Sequence, residues 1–239
     1  MNVSVIFIGT GKYLNFLPKW HENCEKYFLP KIDKKYLLFT DGKIEESPEN
    51  SVIYKQEHLD WPYITLYRFK ILKKAIDEIK KTDWVVFLDA DMLPVDYVNV
   101  DDIFDESKKY IGVHHPCHYL MMPPHNQPNG AFETKSISNA GITSEDDTSI
   151  YYQGCLWGSK SEYFGELICE LDRRIDDDLS KNVIAEWHDE SHLNKFYAEN
   201  PKDVNVLSPS YAYPEVFSDH CTFEPKIIHL AKDNSKYHV

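Results

Sequence analysis

Three short apolar runs, separated by helix-like segments, most constrain how this chain can fold. They are VSVIFI (Val3–Ile8), the start of YLLFTDG (Tyr36–Gly42) and the start of WVVFLDADM (Trp84–Met92). An unbroken apolar run indicates a strand that is buried on both faces, as in a parallel sheet, whereas a half-exposed strand alternates apolar and polar side chains. Strands that alternate with helices in this way predict an α/β fold with a mostly parallel central sheet.

The segments between these runs have the spacing of amphipathic helices. Residues 16–28 and 161–178 show helical periodicity. Another apolar stripe, with lysines on the opposite side, predicts one amphipathic helix; its members are Leu66, Phe69, Leu72, Ile76 and Ile79. Residues 121–148 are rich in Pro, Asn, Gly and Ser and have no period. A stretch this long and irregular predicts a functional loop or a mobile lid.

Length and composition are consistent with one domain over residues 1–239. The 42% hydrophobic content is enough for a sizeable core. A formal net charge of −13 argues against a nucleic-acid partner, because such binding depends on neutralising phosphates. The cysteines are scattered and never form C-x-x-C, which predicts neither a disulfide framework nor a zinc knuckle and favours a reducing compartment; they are Cys24, Cys117, Cys155, Cys169 and Cys221.

Nothing in the sequence indicates targeting to a membrane. The N-terminal MNVSVIFIGTG lacks a basic leader region, and its apolar run is too short to cross a bilayer. No later segment reaches membrane-spanning length. We therefore expect a cytoplasmic protein without a transmembrane segment.

Two aspartates close the third apolar run. Asp89 and Asp91 flank Ala90 directly after WVVFL. Ligands of open α/β sheets collect at the carboxyl ends of strands. Two carboxylates at this spacing can share one hard cation such as Mn²⁺ or Mg²⁺, leaving coordination sites for a diphosphate. The alternative is a polar strand end that faces water.

The segment WHDESHLN (residues 187–194) allows several interpretations. On a helix, His188 and His192 would share one face, with Asp189 and Glu190 between them. A zinc-peptidase helix needs Glu directly after the first His, and Asp189 stands there instead. A catalytic carboxylate among positioning groups and a solvated helix start are the other two interpretations. These residues alone do not choose between them.

The order of DADM, YYQGCLWGS (Tyr151–Ser159) and WHDESHLNKF closely resembles glycosyltransferase family six, nearly end to end. This family includes the histo-blood-group A and B transferases, the α-1,3-galactosyltransferase, the Forssman synthase and shorter bacterial relatives. The resemblance implies a GT-A fold with a Rossmann-like sheet. It further implies transfer of Gal or GalNAc from a UDP-sugar to a galactoside-type oligosaccharide or glycolipid in α-1,3 linkage, with retention of configuration.

The resemblance also implies roles for individual residues. Glu190 matches the catalytic carboxylate, as nucleophile or as stabiliser of an oxocarbenium-like ion. Asp89 and Asp91 match the metal ligands for Mn²⁺ or Mg²⁺. Residues that match donor-binding positions are Ile8, Thr10, Tyr13, Arg68, Asp89, Ala90, Asp189 and Lys232. Those that match acceptor or specificity positions are His115, Gln153, Cys155 and Trp187. The implied division is a nucleotide-binding part over about 1–115 and an acceptor and catalytic part over about 116–239.

The chain departs from the family pattern at several points. Many bacterial relatives carry Asn-x-Asn at the metal position, so the intact aspartates here predict metal dependence. We expect this protein to lack the membrane anchor and stem of the animal enzymes. FETKSISNAGI replaces an arginine-rich stretch, which leaves the acceptor open. Cys155 is larger than the usual Gly or Ala, which favours a hexose such as Gal over GalNAc.

Two other functions and several other roles stay open at this stage. The chain could be a metal-dependent hydrolase that uses the WHDESH helix, or a catalytically idle sugar-binding module of the same fold. We expect His192 to pack in the core and Cys155 to be a small apolar filler. Tyr151 and Tyr152 fit either strand core or site lining, and Trp187 fits either sugar stacking or core. Gly9 and Gly11 form an unfinished dinucleotide pattern, which disfavours a Rossmann dehydrogenase.

Overall fold

The computed structural model describes residues 1–127, 130–220, 223–233 and 237. The strands are β1 Asn2–Ile8, β2 Asp33–Thr40, β3 Ser51–Lys55, β4 Trp84–Leu88, β5 Met92–Pro94, β6 Tyr110–His114, β7 Tyr152–Lys160, β8 Val204–Leu207, β9 Tyr213–Pro214 and β10 Ile227–His229. The α-helices are α1 Leu17–Tyr27, α2 Tyr63–Leu66, α3 Arg68–Leu72, α4 Ile76–Ile79, α5 Val100–Ile103, α6 Pro116–Tyr119, α7 Ser161–Ser180 and α8 His188–Glu199. The 3₁₀ segments are Gly11–Phe16, Lys73–Ala75, Pro201–Asp203, Pro209–Tyr211 and Glu215–His220.

A seven-stranded sheet in the order β3-β2-β1-β4-β7-β6-β8 forms the centre of the protein. The pairs β1–β2, β1–β4, β2–β3 and β6–β8 are parallel, whereas β7 runs antiparallel to both of its neighbours. The prediction of an α/β fold with a mostly parallel sheet is therefore confirmed. Because β7 runs the opposite way, its N-terminal end lies at the same edge of the sheet as the C-terminal ends of β1 and β4.

The unbroken apolar runs are explained by helices on both faces of the sheet. Val5 and Phe7 of β1 belong to a core that includes Trp20 of α1. Ile6 points to the opposite face, into a second core that includes Phe69 of α3 and several residues of α7. Successive side chains of a strand point to opposite faces. Both faces are covered, so the side chains on each are mostly apolar, and the buried Ser4 of β1 has a hydrogen-bond partner in Thr82.

The prediction of one continuous helix from Leu66 to Ile79 is wrong. The stripe is buried or partly buried, but the chain forms α2, α3, a 3₁₀ turn and α4 in succession. The breaks fall at Tyr67 and Ala75, whose backbone angles are φ −90°, ψ 12° and φ −104°, ψ 1°. These angles lie between the helical and extended regions, so each interrupts the regular hydrogen-bond ladder.

A second, separate sheet has three strands in the order β5-β10-β9. β10 pairs antiparallel with β5, which follows the two aspartates directly. This pairing brings the C-terminal region of the chain against the end of β4. Within the described residues, no helix is long and apolar enough to span a bilayer.

The structure describes most of the irregular segment and four of the five cysteines. Residues 121–148, apart from 128 and 129, form only turns, bends and irregular backbone. The four cysteines within the described residues are free thiols, namely Cys24, Cys117, Cys155 and Cys169. Cys221 lies outside the described residues.

Candidate active site

The ends of β1 and β4 and the start of β7 meet at one edge of the central sheet. Asp89 follows β4 directly, and its N–H donates to the carbonyl of Cys155 on β7 at 2.9 Å. A pocket opens at this edge, lined by Ile8, Thr10, Tyr13, His58, Leu59, Trp61, Ile64, Thr65, Arg68, Asp89 and Tyr237. Five predicted donor residues, Ile8, Thr10, Tyr13, Arg68 and Asp89, therefore line one pocket.

The chain changes direction at Gly11, shortly after β1. Gly11 has φ +54° and begins the 3₁₀ segment, and its N–H donates to Asp41 Oδ1 at 2.9 Å. A left-handed backbone favours glycine because other residues meet steric clashes there. The adjacent Thr10 Oγ1 lies 3.0 Å from His58 Nδ1, which fixes one side of the pocket.

Asp91 lies in a buried, positively charged environment. Its Oδ2 is 3.1 Å from His229 Nε2 and is in contact with Lys232 Nζ. Burial by itself raises the pKa of Asp91, but His229 and Lys232 outweigh that effect and hold it below its ordinary value. Asp91 is therefore an ionised carboxylate. Lys232 also lies 5.2 Å from the centre of the Tyr13 ring, so it belongs to the same edge as the pocket.

Arg68 links the pocket to the start of α8. Its guanidinium is buried and makes ion pairs with Asp189 at 2.6 Å and Asp89 at 3.3 Å. It also donates to the carbonyl of Gly154 at 2.9 Å and lies over the Phe87 ring. Burial raises the pKa of Asp189 to about 7, and Arg68 opposes that shift. One cation thus holds two carboxylates from β4 and α8 in fixed relative positions.

Glu190 is held at both of its carboxylate oxygens. Tyr151 Oη donates to Oε1 at 2.9 Å, and the N–H of Gly154 donates to Oε2 at 2.7 Å. A Cβ atom at position 154 would lie 3.2 Å from Glu190 Oε2, a tight contact that glycine avoids. Burial raises the pKa of Glu190, while the two hydrogen bonds and Arg68 oppose the rise by favouring the charged form. The arrangement fixes a carboxylate beside the pocket.

The two histidines of WHDESHLN do not share one face. His188 has φ +51° and turns its ring toward α2, where its Nδ1 is 3.3 Å from Thr65 Oγ1 and its ring contacts Trp61. His192 is 1% exposed and faces Asp178, with Nε2 3.6 Å from Oδ2. Burial lowers the pKa of His192 to about 4, so its imidazole is neutral. The interpretation of WHDESHLN as a zinc-binding helix therefore finds no support, whereas the prediction that His192 is a core residue is confirmed.

The remaining acceptor and specificity candidates differ in exposure. Trp187 is 44% exposed beside the start of α8, so the alternative of a buried core tryptophan is wrong. Gln153 and Cys155 are both buried on β7, and Gln153 Oε1 has no hydrogen-bond partner among the described residues. Burial raises the pKa of the Cys155 thiol, which disfavours a thiolate nucleophile. His115 Nδ1 accepts the N–H of Cys117 and thereby caps α6, and the His115 ring packs beside Tyr151.

Several side chains at this edge were missed by the interpretation of the sequence alone. They are His58, Leu59, Trp61, Ile64, Thr65, His229 and Tyr237. Thr65 precedes Arg68 by three residues, and on a helix this spacing places side chains on one face, so a local signal existed for it. His229 and Tyr237 are distant in sequence from the pocket residues and carried no local signal.

The predicted Mn²⁺ or Mg²⁺ can be tested against these ligands. Within the described ranges, no three His, Cys, Asp or Glu side chains are arranged to hold a metal ion. A catalytic zinc site needs about three protein ligands, so the helix-based zinc hypothesis has no support here. Mg²⁺, in contrast, is usually held by one or two carboxylates together with waters and substrate phosphates. Asp89 and Asp91, with Asp91 ionised, fit a cation that is shared with a diphosphate.

Comparison with known proteins places this chain in a family. The family model described as glycosyltransferase family 6 matches residues 1–237. The O-antigen biosynthesis glycosyltransferase WbnI of Escherichia coli is 31% identical over 244 residues, covering 100% of this chain and 98% of that protein. Human globoside alpha-1,3-N-acetylgalactosaminyltransferase 1 is 25% identical over 224 residues, covering 90% of this chain and 62% of that protein. The histo-blood group ABO system transferase 2 of Rattus norvegicus is 25% identical over 222 residues, covering 89% and 64%.

The chain thus spans nearly the whole bacterial relative and less than two thirds of the animal ones. The resemblance drawn from DADM, YYQGCLWGS and WHDESHLNKF is confirmed, and the central sheet is that of a GT-A fold. The chain belongs to glycosyltransferase family 6 and is a glycosyltransferase.

Proposed function

We propose that this enzyme transfers Gal or GalNAc from a UDP-sugar to a galactoside-type glycan in α-1,3 linkage, with retention of configuration and dependence on a divalent metal. The observation that carries the proposal is the placement of Glu190, held at both oxygens, next to an arginine that also binds Asp89 and Asp189. The name of the human globoside alpha-1,3-N-acetylgalactosaminyltransferase relative supports the linkage and the sugar class.

The donor side is assigned from charge and position. Ile8, Thr10 and Tyr13 line the part of the pocket that would take the uridine, and Asp89 and Asp91 would hold Mn²⁺ or Mg²⁺. When bound, that cation supplies positive charge to a departing diphosphate. Lys232 and Arg68 add fixed positive charge at the same edge. Asp189, which is fixed by Arg68, would accept a hydroxyl of the donor sugar.

Glu190 would act at the anomeric carbon in one of two ways. As a nucleophile, a Glu190 oxygen forms a bond to C1 while the C1–O bond to UDP breaks. The acceptor oxygen then displaces Glu190, and its proton passes to a phosphate oxygen of UDP. As a stabiliser, Glu190 lies against an oxocarbenium-like ion while the acceptor attacks from the side that UDP leaves, with the same fate for the proton.

The acceptor side would be formed by the later part of the chain. The exposed Trp187 offers an aromatic face to a sugar ring. Gln153 Oε1, which has no hydrogen-bond partner in the described part of the chain, offers an acceptor to a sugar hydroxyl. Most donor residues fall within about 1–115, and Asp189 and Lys232 come from the later part. We keep this division as the proposed organisation of residues 1–239, with an oligosaccharide or glycolipid as acceptor.

The two rival functions find less support. A hydrolase that uses zinc on the WHDESH helix requires His188 and His192 to converge, and they face different partners. An idle sugar-binding module has no need for a carboxylate whose two oxygens are both held beside a second, ion-paired carboxylate. Sugar transfer explains these features together.

A donor screen tests the proposed function directly. The enzyme is incubated with Mn²⁺ and, in turn, UDP-Gal, UDP-GalNAc, UDP-Glc and UDP-GlcNAc, with and without a β-galactoside acceptor, and UDP release is measured. We expect acceptor-stimulated release from a galactose-type donor and an α-1,3-linked product. No release above that of Glu190→Gln with any donor would contradict the proposal.

Donor preference gives a further prediction. The buried Cys155 lies beside Asp89 and is larger than the Gly or Ala usual at this position. We expect kcat/KM for UDP-Gal to exceed that for UDP-GalNAc in the native enzyme. Cys155→Ala should raise the relative use of UDP-GalNAc by about tenfold, since small changes of pocket volume discriminate by roughly 1–3 kcal/mol. A native enzyme that prefers UDP-GalNAc would contradict this assignment.

Tyr151→Phe should slow the chemical step without unfolding the protein. The change removes the hydroxyl that donates to Glu190 Oε1. A hydrogen bond to a charged group is worth about 1.5–3 kcal/mol, so kcat should fall about tenfold or more. The lost bond favoured the charged carboxylate, so the pKa of Glu190 should rise further and the acidic limb of the kcat–pH profile should move to higher pH.

The neighbouring tyrosine is a matched control for this variant. Tyr152 lies on the opposite face of β7, against Tyr197. Tyr152→Phe should leave the position of the acidic limb unchanged. An equal shift of the limb in both variants would show that Tyr151 has no special relation to Glu190.

A further inference from the structure

We propose that Glu133 is a positioning residue of this active site, because its buried carboxylate holds the chain just before α8 and thereby sets where Glu190 stands. Glu133 belongs to the irregular segment and is 53 residues away in sequence from its partner, Glu186. The inference rests on the proposed role of Glu190 as the catalytic carboxylate.

Both oxygens of Glu133 are engaged by backbone groups. Oε1 accepts the N–H of Lys135 at 2.8 Å, and Oε2 accepts the N–H of Glu186 at 2.8 Å. Lys135 Nζ lies 3.4 Å from Oε2, and the Glu133 side chain is only 2% exposed. Burial by itself raises the pKa of Glu133, but the N–H groups of Lys135 and Glu186 and the Lys135 charge lower it further than burial raises it. The Glu133 carboxylate is therefore ionised and buried, and it accepts a hydrogen bond from the backbone of Glu186.

The strained turn at the start of α8 links the position of Glu186 to that of Glu190. The N–H of His188 donates to Ala185 O at 3.0 Å, so the held Glu186 lies inside that turn. His188 has φ +51°, a backbone conformation that is unfavourable for residues other than glycine. A residue keeps such a conformation only where the surrounding structure holds it. Glu190 follows within one turn, and its N–H donates to Trp187 O at 3.0 Å. A shift at Glu186 would therefore displace the carboxylate.

The irregular segment is also held at a second place, where it contacts α7 and not the start of α8. Ser138 Oγ donates to Asp178 of α7, and the N–H of Asn139 donates to the same side chain at 2.8 Å. Ser138 and Asp178 are buried. The segment is thus tied independently to α7, and a change at Ser138 tests general loosening of the segment without touching the bond to Glu186.

The test compares Glu133→Ala, Glu133→Gln and the matched control Ser138→Ala. For each we measure kcat, donor and acceptor KM, UDP affinity with Mn²⁺, melting temperature, and hydrogen exchange of the amides from Glu186 to Glu190. Glu133→Ala should lower kcat by about 10–100-fold with UDP affinity within about twofold, because a misplacement of about 1 Å costs on the order of 10²-fold. Glu133→Gln keeps one oxygen that can accept from Glu186 and should recover part of the loss. Ser138→Ala should keep kcat within about threefold.

Faster exchange of the Glu186–Glu190 amides in Glu133→Ala, but not in Ser138→Ala, supports the inference. The inference is overturned if Glu133→Ala keeps the native kcat and the native exchange of the Glu186–Glu190 amides. It is also overturned if Ser138→Ala, at the same loss of melting temperature as Glu133→Ala, loses as much kcat and as much exchange protection as Glu133→Ala does. If the native enzyme releases no UDP from any donor, the proposed function fails, and the exchange comparison still decides whether Glu133 sets the position of Glu190.

Discussion

Replacing Glu190 with Gln should reduce kcat by on the order of 10²-fold or more while UDP affinity stays nearly unchanged. The substitution keeps the size of the side chain and one oxygen that can accept from Tyr151 or Gly154. It removes the negative charge, and with it either the nucleophile or the group that stabilises an oxocarbenium-like ion. Loss of one preorganised electrostatic stabiliser typically costs 10²–10³-fold in kcat. Steady-state kinetics and UDP titration measure the two quantities separately.

Two further variants make this result specific. Glu186→Gln is the same change four residues earlier, at an exposed side chain, and should leave kcat within about twofold. His192→Ala opens a cavity in the core and should lower the melting temperature with a smaller effect on kcat. A zinc mechanism predicts the reverse order. An inactive but stable His192→Ala enzyme, together with an active Glu190→Gln enzyme, would refute the assignment of the site.

Asp91→Asn should abolish most transfer and weaken the binding of UDP in the presence of Mn²⁺. The variant keeps the shape of the side chain but removes one of the two anionic ligands proposed for the cation. Charge stabilisation by a bound metal is worth several kcal/mol, so we expect a loss of on the order of 10²-fold or more in kcat/KM. The binding defect should be largest with Mn²⁺ and small in EDTA, because the substitution removes a proposed ligand of the cation but leaves the neighbouring His229 and Lys232 in the chain. Isothermal titration of UDP under both conditions measures this difference.

The opposite end of the same strand supplies the control. Asp83 precedes β4 and accepts the N–H of Asn2 at 2.8 Å, far from the pocket edge of the sheet. Asp83→Asn should leave activity and its metal dependence unchanged. Full activity of the native enzyme in excess EDTA would refute the metal prediction and place this protein with metal-independent relatives.

Metal dependence, the donor, the acceptor and the roles of individual residues stay predictions, whereas the fold and family are confirmed. The features that could be predicted were those that depend on residues close together in the sequence. The apolar runs of β1, β2 and β4 identified a sheet covered on both faces, because a strand without polar alternation has no face for water. The strand-end position of Asp89 and Asp91 likewise placed them at the ligand edge of that sheet.

Local spacing failed where the backbone left regular geometry. The stripe from Leu66 to Ile79 predicted one helix, but breaks at Tyr67 and Ala75 divide it. His188 and His192 were expected on one face, but the left-handed backbone of His188 rotates the two rings toward different partners. Periodicity assumes uniform backbone angles, so one irregular residue is enough to separate side chains that it places together.

The sequence by itself therefore determined the layered α/β fold and the family, and it singled out the main carboxylates as candidates, since each depends on short patterns that one segment carries. Only the tertiary structure decided what holds those carboxylates. Tyr151 reaches Glu190 across 39 residues, Glu133 reaches Glu186 across 53, and His229 and Lys232 reach Asp91 across 138 and 141. Such contacts leave no local pattern, because burial of two apolar cores on one sheet, rather than the chain between the partners, brings them together.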